Sequence, residues 1–96
     1  MADYVFHPSA TAEYLAIGAK FYAQSRARAA RFERAVEDAL ASITMWPQAW
    51  PRLDDTYRFC RVKGFPYLVV YRLDGDVAVM AELHHHGQQF GSWKGR

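Results

Sequence analysis

The stretch Phe65-Pro66-Tyr67-Leu68-Val69-Val70-Tyr71-Arg72-Leu73-Asp74-Gly75-Asp76-Val77-Ala78-Val79-Met80-Ala81-Glu82-Leu83-His84 decides the fold. Two runs rich in valine, leucine and tyrosine flank Asp74-Gly75, and β-branched and aromatic residues suit a pleated, half-buried strand. Asp-Gly is favoured in a type I′ turn, so Phe65 to Leu73 and Asp76 to His84 are predicted to pair as a β-hairpin. That turn would set Leu73 opposite Asp76, Val70 opposite Val79 and Tyr67 opposite Glu82. Side chains alternate along a strand, which places Leu68, Val70, Val77, Val79, Ala81 and Leu83 on one face. This aliphatic face is expected to pack on helices. The other face carries Phe65, Tyr67, Val69, Tyr71, Ala78, Met80, Glu82 and His84. With no helix left to cover it, it is expected to stay partly open, and exposed apolar strips of that kind mark binding surfaces. The alternative is that the tail from Gln88 to Arg96 folds back over it.

Upstream of the hairpin, Tyr57 to Lys63 is a further strand candidate, and Gly64 breaks its pattern. Trp46-Pro47 and Trp50-Pro51 mark a loop, because each proline pushes the residue before it toward extended backbone. The two tryptophans are expected to pack over one end of the core. Before that loop, Phe32, Val36, Ala39, Leu40 and Ile43 repeat with helical period, predicting a helix from about Arg26 to Met45 with Ser25 as its N-cap. Arg34 and Asp38 are spaced to pair on its outer side. Arg26 and Arg28 fall in its first turn, where the helix dipole disfavours cations. A first helix runs from Pro8 to about Gln24 on the stripe Ala10, Tyr14, Ile17 and Phe21, and Pro8 suits its opening turn. Gly18 lies beside that stripe and is expected to admit a close neighbour. Tyr4-Val5-Phe6 reads as a short strand. The pattern therefore predicts one α+β domain over residues 1–96, in the order β-α-α-β-β-β. Its αα-hairpin packs on one face of a small, mainly antiparallel sheet.

Composition narrows the class. A chain with 51% hydrophobic and 16% aromatic residues can bury a core, so disorder is excluded. The lone Cys60 can close no internal disulfide. Asp3 and His7 interrupt any leader-like opening, and no apolar run approaches the ~18 residues of a membrane span. A cytoplasmic location is expected. The net charge of +2 is too small to argue for nucleic acid, but its distribution is uneven. The charged residues between Tyr57 and Arg72 are Arg58, Arg61, Lys63 and Arg72, all basic, whereas the acids gather in the helices and turns. Such a basic strand region suits an anionic partner, or simply guards a strand edge from pairing.

Chemistry-bearing residues are few. In His84-His85-His86 only His84 and His86 share a strand face, and no companion ligand motif accompanies them, so no metal and no cofactor is expected. His84, His86 and Glu82 near Arg61 and Lys63 could supply acid–base catalysis on a phosphodiester, or the histidines could be structural. No phosphate loop, nucleophile elbow or nucleotide fingerprint is present.

The element order, together with several motifs, resembles the RelE/ParE toxins of type II toxin–antitoxin systems. Phe6-His7-Pro8, Ala10 and Tyr14-Leu15 are similar to the family's entry into its first helix, and Trp46-Pro47 with Trp50-Pro51 to its loop after the second. Arg58, Phe65-Pro66-Tyr67 and Val70-Tyr71-Arg72 resemble the R…FPY…VYR signature of ParE-like members, Asp74-Gly75-Asp76 the hairpin turn, and His86-Gly87 with Trp93 the closing HG…W element. Gln88-Gln89-Phe90-Gly91 depart from the arginine-rich sequence often found after HG. The resemblance implies a toxin neutralised by a cognate antitoxin whose C-terminal segment wraps around it. The ParE branch implies inhibition of DNA gyrase without established catalytic residues. The RelE branch implies ribosome-dependent mRNA cleavage by basic residues with a tyrosine, histidine or glutamate. No tyrosine follows Tyr71, which favours the ParE branch. A degenerate member that only binds an antitoxin is the third reading. Arg58, Arg61, Lys63, Tyr67, Tyr71, Met80 and Trp93 are the expected antitoxin or target contacts. His84, His86, Glu82 and Arg61 are the candidates for catalysis. Any contact with DNA would be indirect, through the antitoxin.

Overall fold

A computed structural model describes residues 2–96. Strand β1 (Asp3–Phe6) leads into helix α1 (Pro8–Gln24) and helix α2 (Arg26–Met45), followed by β2 (Tyr57–Val62), β3 (Tyr67–Asp74) and β4 (Val77–His85). The sheet order is β1-β4-β3-β2, with β1 parallel to β4 and the other pairs antiparallel. This is the α+β arrangement the sequence predicts.

Local chemistry explains the helix ends. His7 caps α1, its Nδ1 accepting from the Ser9 amide at 3.1 Å, and Pro8 occupies a position whose N–H would have no partner anyway. Ser25 caps α2 by accepting from the Arg28 amide at 3.2 Å. The unfavourable first-turn Arg28 is offset by stacking, with its guanidinium 5.0 Å from the Phe21 ring and 5.5 Å from Phe65. Gly18 admits no close neighbour, since a Cβ there would meet nothing within 4 Å. Among the described residues, Arg34 and Asp38 form no ion pair. Trp50 packs on the core with its indole N–H donating to Ser42 O at 3.2 Å, whereas Trp46 is 63% exposed.

The hairpin corrects the expected register. Asp74 pairs with Val77, so the two loop residues are Gly75 and Asp76. Only Gly75 has positive φ, 59°, which is the type II′ preference for glycine at the first central position rather than type I′. Leu73 then faces Ala78 and Tyr71 faces Met80; beyond them Val70 faces Glu82, so Ala81 is the extra residue of a β-bulge. A bulge exchanges the faces of everything after it. Leu83 thereby joins the Val69 and Tyr71 face, and Glu82 and His84 join that of Val70 and Leu68.

The two faces are also inverted in role. The aromatic one, expected to be open, is the one on which the helices pack. Phe21, Phe32, Val36 and Ile43 meet Tyr67, Val69, Tyr71, Met80 and Leu83 in the main core. Phe32 lies 5.3 Å from Phe65 and 5.9 Å from Tyr67, ring centre to ring centre. Aromatic rings carry the largest apolar area, so covering them with two helices removes more surface from water than covering valines would. The aliphatic face is instead covered by the tail: Trp93, fully buried, packs with Tyr57, Val70 and Ala81, and with Leu53, Phe59 and Leu68 around them. The tail thus does fold back, onto the opposite face from the one anticipated.

Candidate functional site

Two places gather the residues singled out by sequence. One lies at the β2 edge of the sheet. There α2, the loop after it and β2 enclose an open groove of about 590 Å³, lined by Ala35, Ala39, Trp50 and Cys60, with Phe59, Arg61 and the basic Lys63 along its strand side. The groove exists because α2 presents alanines on this side, too small to fill the space to the strand. Both basic rim residues are exposed. The first half of the β2 edge is occupied by the loop, as Phe59 N donates to Pro51 O at 3.1 Å. Both backbone groups of a strand residue point to the same side in an antiparallel sheet, so Arg61, two residues on, directs its N–H and C=O outward at the rim.

Arg58 faces the helix side, half-buried, its Nη1 donating to Trp50 O at 2.8 Å. Beside it Tyr71 donates to Pro47 O at 2.6 Å. Burial pushes the Tyr71 phenol up to about 12, against the opposing pull of Arg58. Tyr67, Tyr71 and Met80, expected as contacts on an open face, are at most 5% exposed, and their side chains build the core instead. Cys60 is buried, and desolvation pushes its thiol up to about 11.

The second place is the polar cluster beneath the tail. Glu82 is 1% exposed and His84 5%. The Ser92 hydroxyl lies 2.7 and 2.8 Å from the two Glu82 carboxylate oxygens, and His84 Nδ1 lies 3.2 Å from Glu82 Oε1. Trp93 sets its ring edge-on to His84 at 5.2 Å. The Trp93 indole N–H has no partner; the Asp54 carboxylate is the acceptor it faces. Asp54 itself is held below its ordinary pKa, first by the Tyr57 amide, which donates to it at 2.8 Å. Glu82 and His84 are therefore sealed from solvent, and a substrate phosphate has no route to them while the tail is closed. His86 lies apart, exposed, in the turn after β4. The end of β4 at His85 separates the two histidines that simple alternation would put together. Among the described residues no group of histidine, cysteine, aspartate and glutamate is arranged to hold a metal.

Sequence reasoning missed Glu13, Ser92 and Arg96. Arg96 Nη1 donates to both Glu13 oxygens at 3.0 and 2.9 Å and to Ala81 O at 3.1 Å, and its carbonyl accepts from Tyr57 Oη and Arg72 Nε, each at 2.9 Å. Glu13 Oε1 also accepts from the Leu83 amide at 3.2 Å. No periodicity links a first-helix carboxylate to an arginine 83 residues later, so only the folded chain reveals the pair.

The family model described as the ParE toxin of a type II toxin–antitoxin system, parDE, matches residues 4–90. Ser92, Trp93 and Arg96 lie beyond the match. A solved chain from the chromosomal ParDE TA system of P. aeruginosa aligns with a TM-score of 0.65 at 16% identity, covering 88% of this chain and 96% of that one. That likeness is one of fold. No curated protein matches the chain.

Proposed function

The chain belongs to the ParE toxin family of type II toxin–antitoxin systems, and from that membership we propose that it arrests growth by binding and inhibiting DNA gyrase, without a catalytic site of its own. The observation that carries this reading over the ribonuclease alternative is the burial of Glu82 and His84 beneath Trp93 and Ser92. A general acid or base must come within hydrogen-bond reach of the proton it moves, and these two side chains are occupied with each other and with the tail.

The neutralising partner is an antitoxin, and the groove between α2 and β2 is the surface that suits it. An extended acidic segment could add to the β2 edge at Arg61 by main-chain hydrogen bonds, place apolar side chains against Ala35 and Trp50, and pair its carboxylates with Arg61 and Lys63. Arg58, bound to the loop carbonyl, positions that rim from behind. The protein acts in the cytoplasm on this reading; no helix among the described residues is long and apolar enough to cross a membrane.

The deciding experiment induces the chain without antitoxin and follows growth, with gyrase supercoiling assayed on purified protein and ribosome-bound mRNA cleavage mapped in parallel. Loss of supercoiling, equally strong for His86→Ala, is the expected result. Codon-specific mRNA cuts with supercoiling untouched would replace this reading by the ribonuclease one.

A further inference from the structure

The C-terminal tail is attached to the rest of the fold in an unusual way. From Gln89 to Arg96 its backbone N–H donors bond only within the tail, as Lys94 N to Gly91 O and Arg96 N to Trp93 O. No backbone–backbone bond joins this segment to the sheet among the described residues. It is held by side chains alone, with the single backbone exception of the Arg96 carbonyl taken by Tyr57 and Arg72. Gly91 and Gly95 have φ of 93° and 85°, a region in which other residues are strained.

Three ties hold it. Trp93 fills the outer apolar face, Ser92 reaches Glu82, and Arg96 reaches Glu13. The last of these has a second job. Strand β1 ends opposite Met80, so β4 beyond that point has no neighbour on the β1 side. Arg96 and Glu13 take up what a longer β1 would have taken: the guanidinium binds Ala81 O and the carboxylate binds the Leu83 amide. The pair therefore ties the tail, α1 and the bulged part of β4 at one point.

We propose that residues 89–96 form a releasable strap, opening as one unit from the outer sheet face while the helix-side core stays folded, with the Glu13–Arg96 pair as its clasp. A segment with few backbone bonds to its surroundings belongs to the low-stability end of a native structure. The main core shares no residue with the cluster under the tail. Opening would uncover Tyr57, Leu68, Val70 and Ala81 together with the Glu82–His84 pair, a surface the closed toxin hides.

Amide hydrogen exchange read by NMR on the full chain tests this. The amides of Lys94 and Arg96 should exchange at one common rate, at least about tenfold faster than those of Val69 and Val70 in β3. Arg96→Ala and Glu13→Gln should each speed the tail and Leu83 amides a further threefold to tenfold, roughly the effect of losing a partly exposed charge-assisted pair, with Val69 and Val70 unchanged. The double variant should add little to either single one, because both break the same clasp. Arg96→Lys, which keeps the charge but loses the fork, should fall between. Tail amides that exchange in step with β3 would overturn the proposal, as would single variants that leave the tail and Leu83 unaltered or whose effects simply multiply.

Discussion

Replacing Trp93 by alanine measures how much the tail contributes to the fold. Trp93 is fully buried against Tyr57, Val70 and Ala81. Truncation of a buried tryptophan costs about 3–5 kcal/mol, part transfer and part cavity. Here the loss is reduced, because the indole N–H has no hydrogen-bond partner and an orphaned buried donor already costs about 1–3 kcal/mol in the intact protein. The net destabilisation should therefore lie near the low end, about 2–3 kcal/mol. For a domain of this size each kcal/mol moves Tm by about 4–8 °C, so the melt should fall by about 10–20 °C. Trp93→Phe separates the two contributions: it keeps an aromatic ring and removes the orphaned donor, and should cost clearly less than alanine because it leaves the smaller cavity. Both are read by urea unfolding with far-UV circular dichroism. An alanine variant that loses less than about 1 kcal/mol would refute the reasoning, since Trp93 would then not be an anchor. A phenylalanine variant as damaging as alanine would refute the discount for the unpaired N–H.

Other consequences are simpler. Gly75→Val should destabilise by about 1–2 kcal/mol from backbone strain alone, because φ is 59° and a Cβ there meets nothing; Gly75→Asn should cost clearly less, and equal melting temperatures for the two would contradict the turn assignment. Cys60 is raised by burial from 9.0 to about 11, so the folded state holds its proton longer than the unfolded one. Its contribution is complete below about pH 9 and is lost as pH rises through 11; Cys60→Ala should flatten that alkaline decline in unfolding titrations, and an unchanged slope would count against it. The double reversal Arg61→Glu with Lys63→Glu, at two exposed sites, should weaken antitoxin binding by at least about tenfold in calorimetry while leaving the melt unchanged. Undiminished affinity would move the antitoxin away from the β2 edge.

Element types and order were legible from periodicity, because each helix carries its apolar stripe at full helical spacing and each helix start is marked by a residue type suited to it. Ser25 and Pro8 are examples in which a single residue type announces its role. The hairpin was legible as a pair of strands but not in register. Asp74-Gly75 and Gly75-Asp76 are both acceptable turn dipeptides, and a glycine with φ near +60° serves the second position of one turn type and the first of another. Nothing local distinguishes them. The face assignment failed for a different reason: alternation says which residues share a side, not which side the helices choose. That choice depends on total area covered, and the aromatic set won it.

The bulge at Ala81 ties these points to function. It is one unmarked residue, without the glycine that would have flagged it, and it changes the surroundings of everything from Glu82 onward. Without it Leu83 would face the tail, and Glu82 and His84 would enter the helix-side core, an uncompensated cost for a carboxylate. With it the two polar groups meet Ser92 on the outer face, and Leu83 completes the apolar core. The bulge falls just past the end of β1, where the Ala81 carbonyl and Leu83 amide need partners that Arg96 and Glu13 provide. A residue pattern that sequence alone could read as an acid–base site is thus, in the folded chain, the fastening of a tail. The basic residues at the β2 rim keep their place at the surface because nothing in the fold needs them inside.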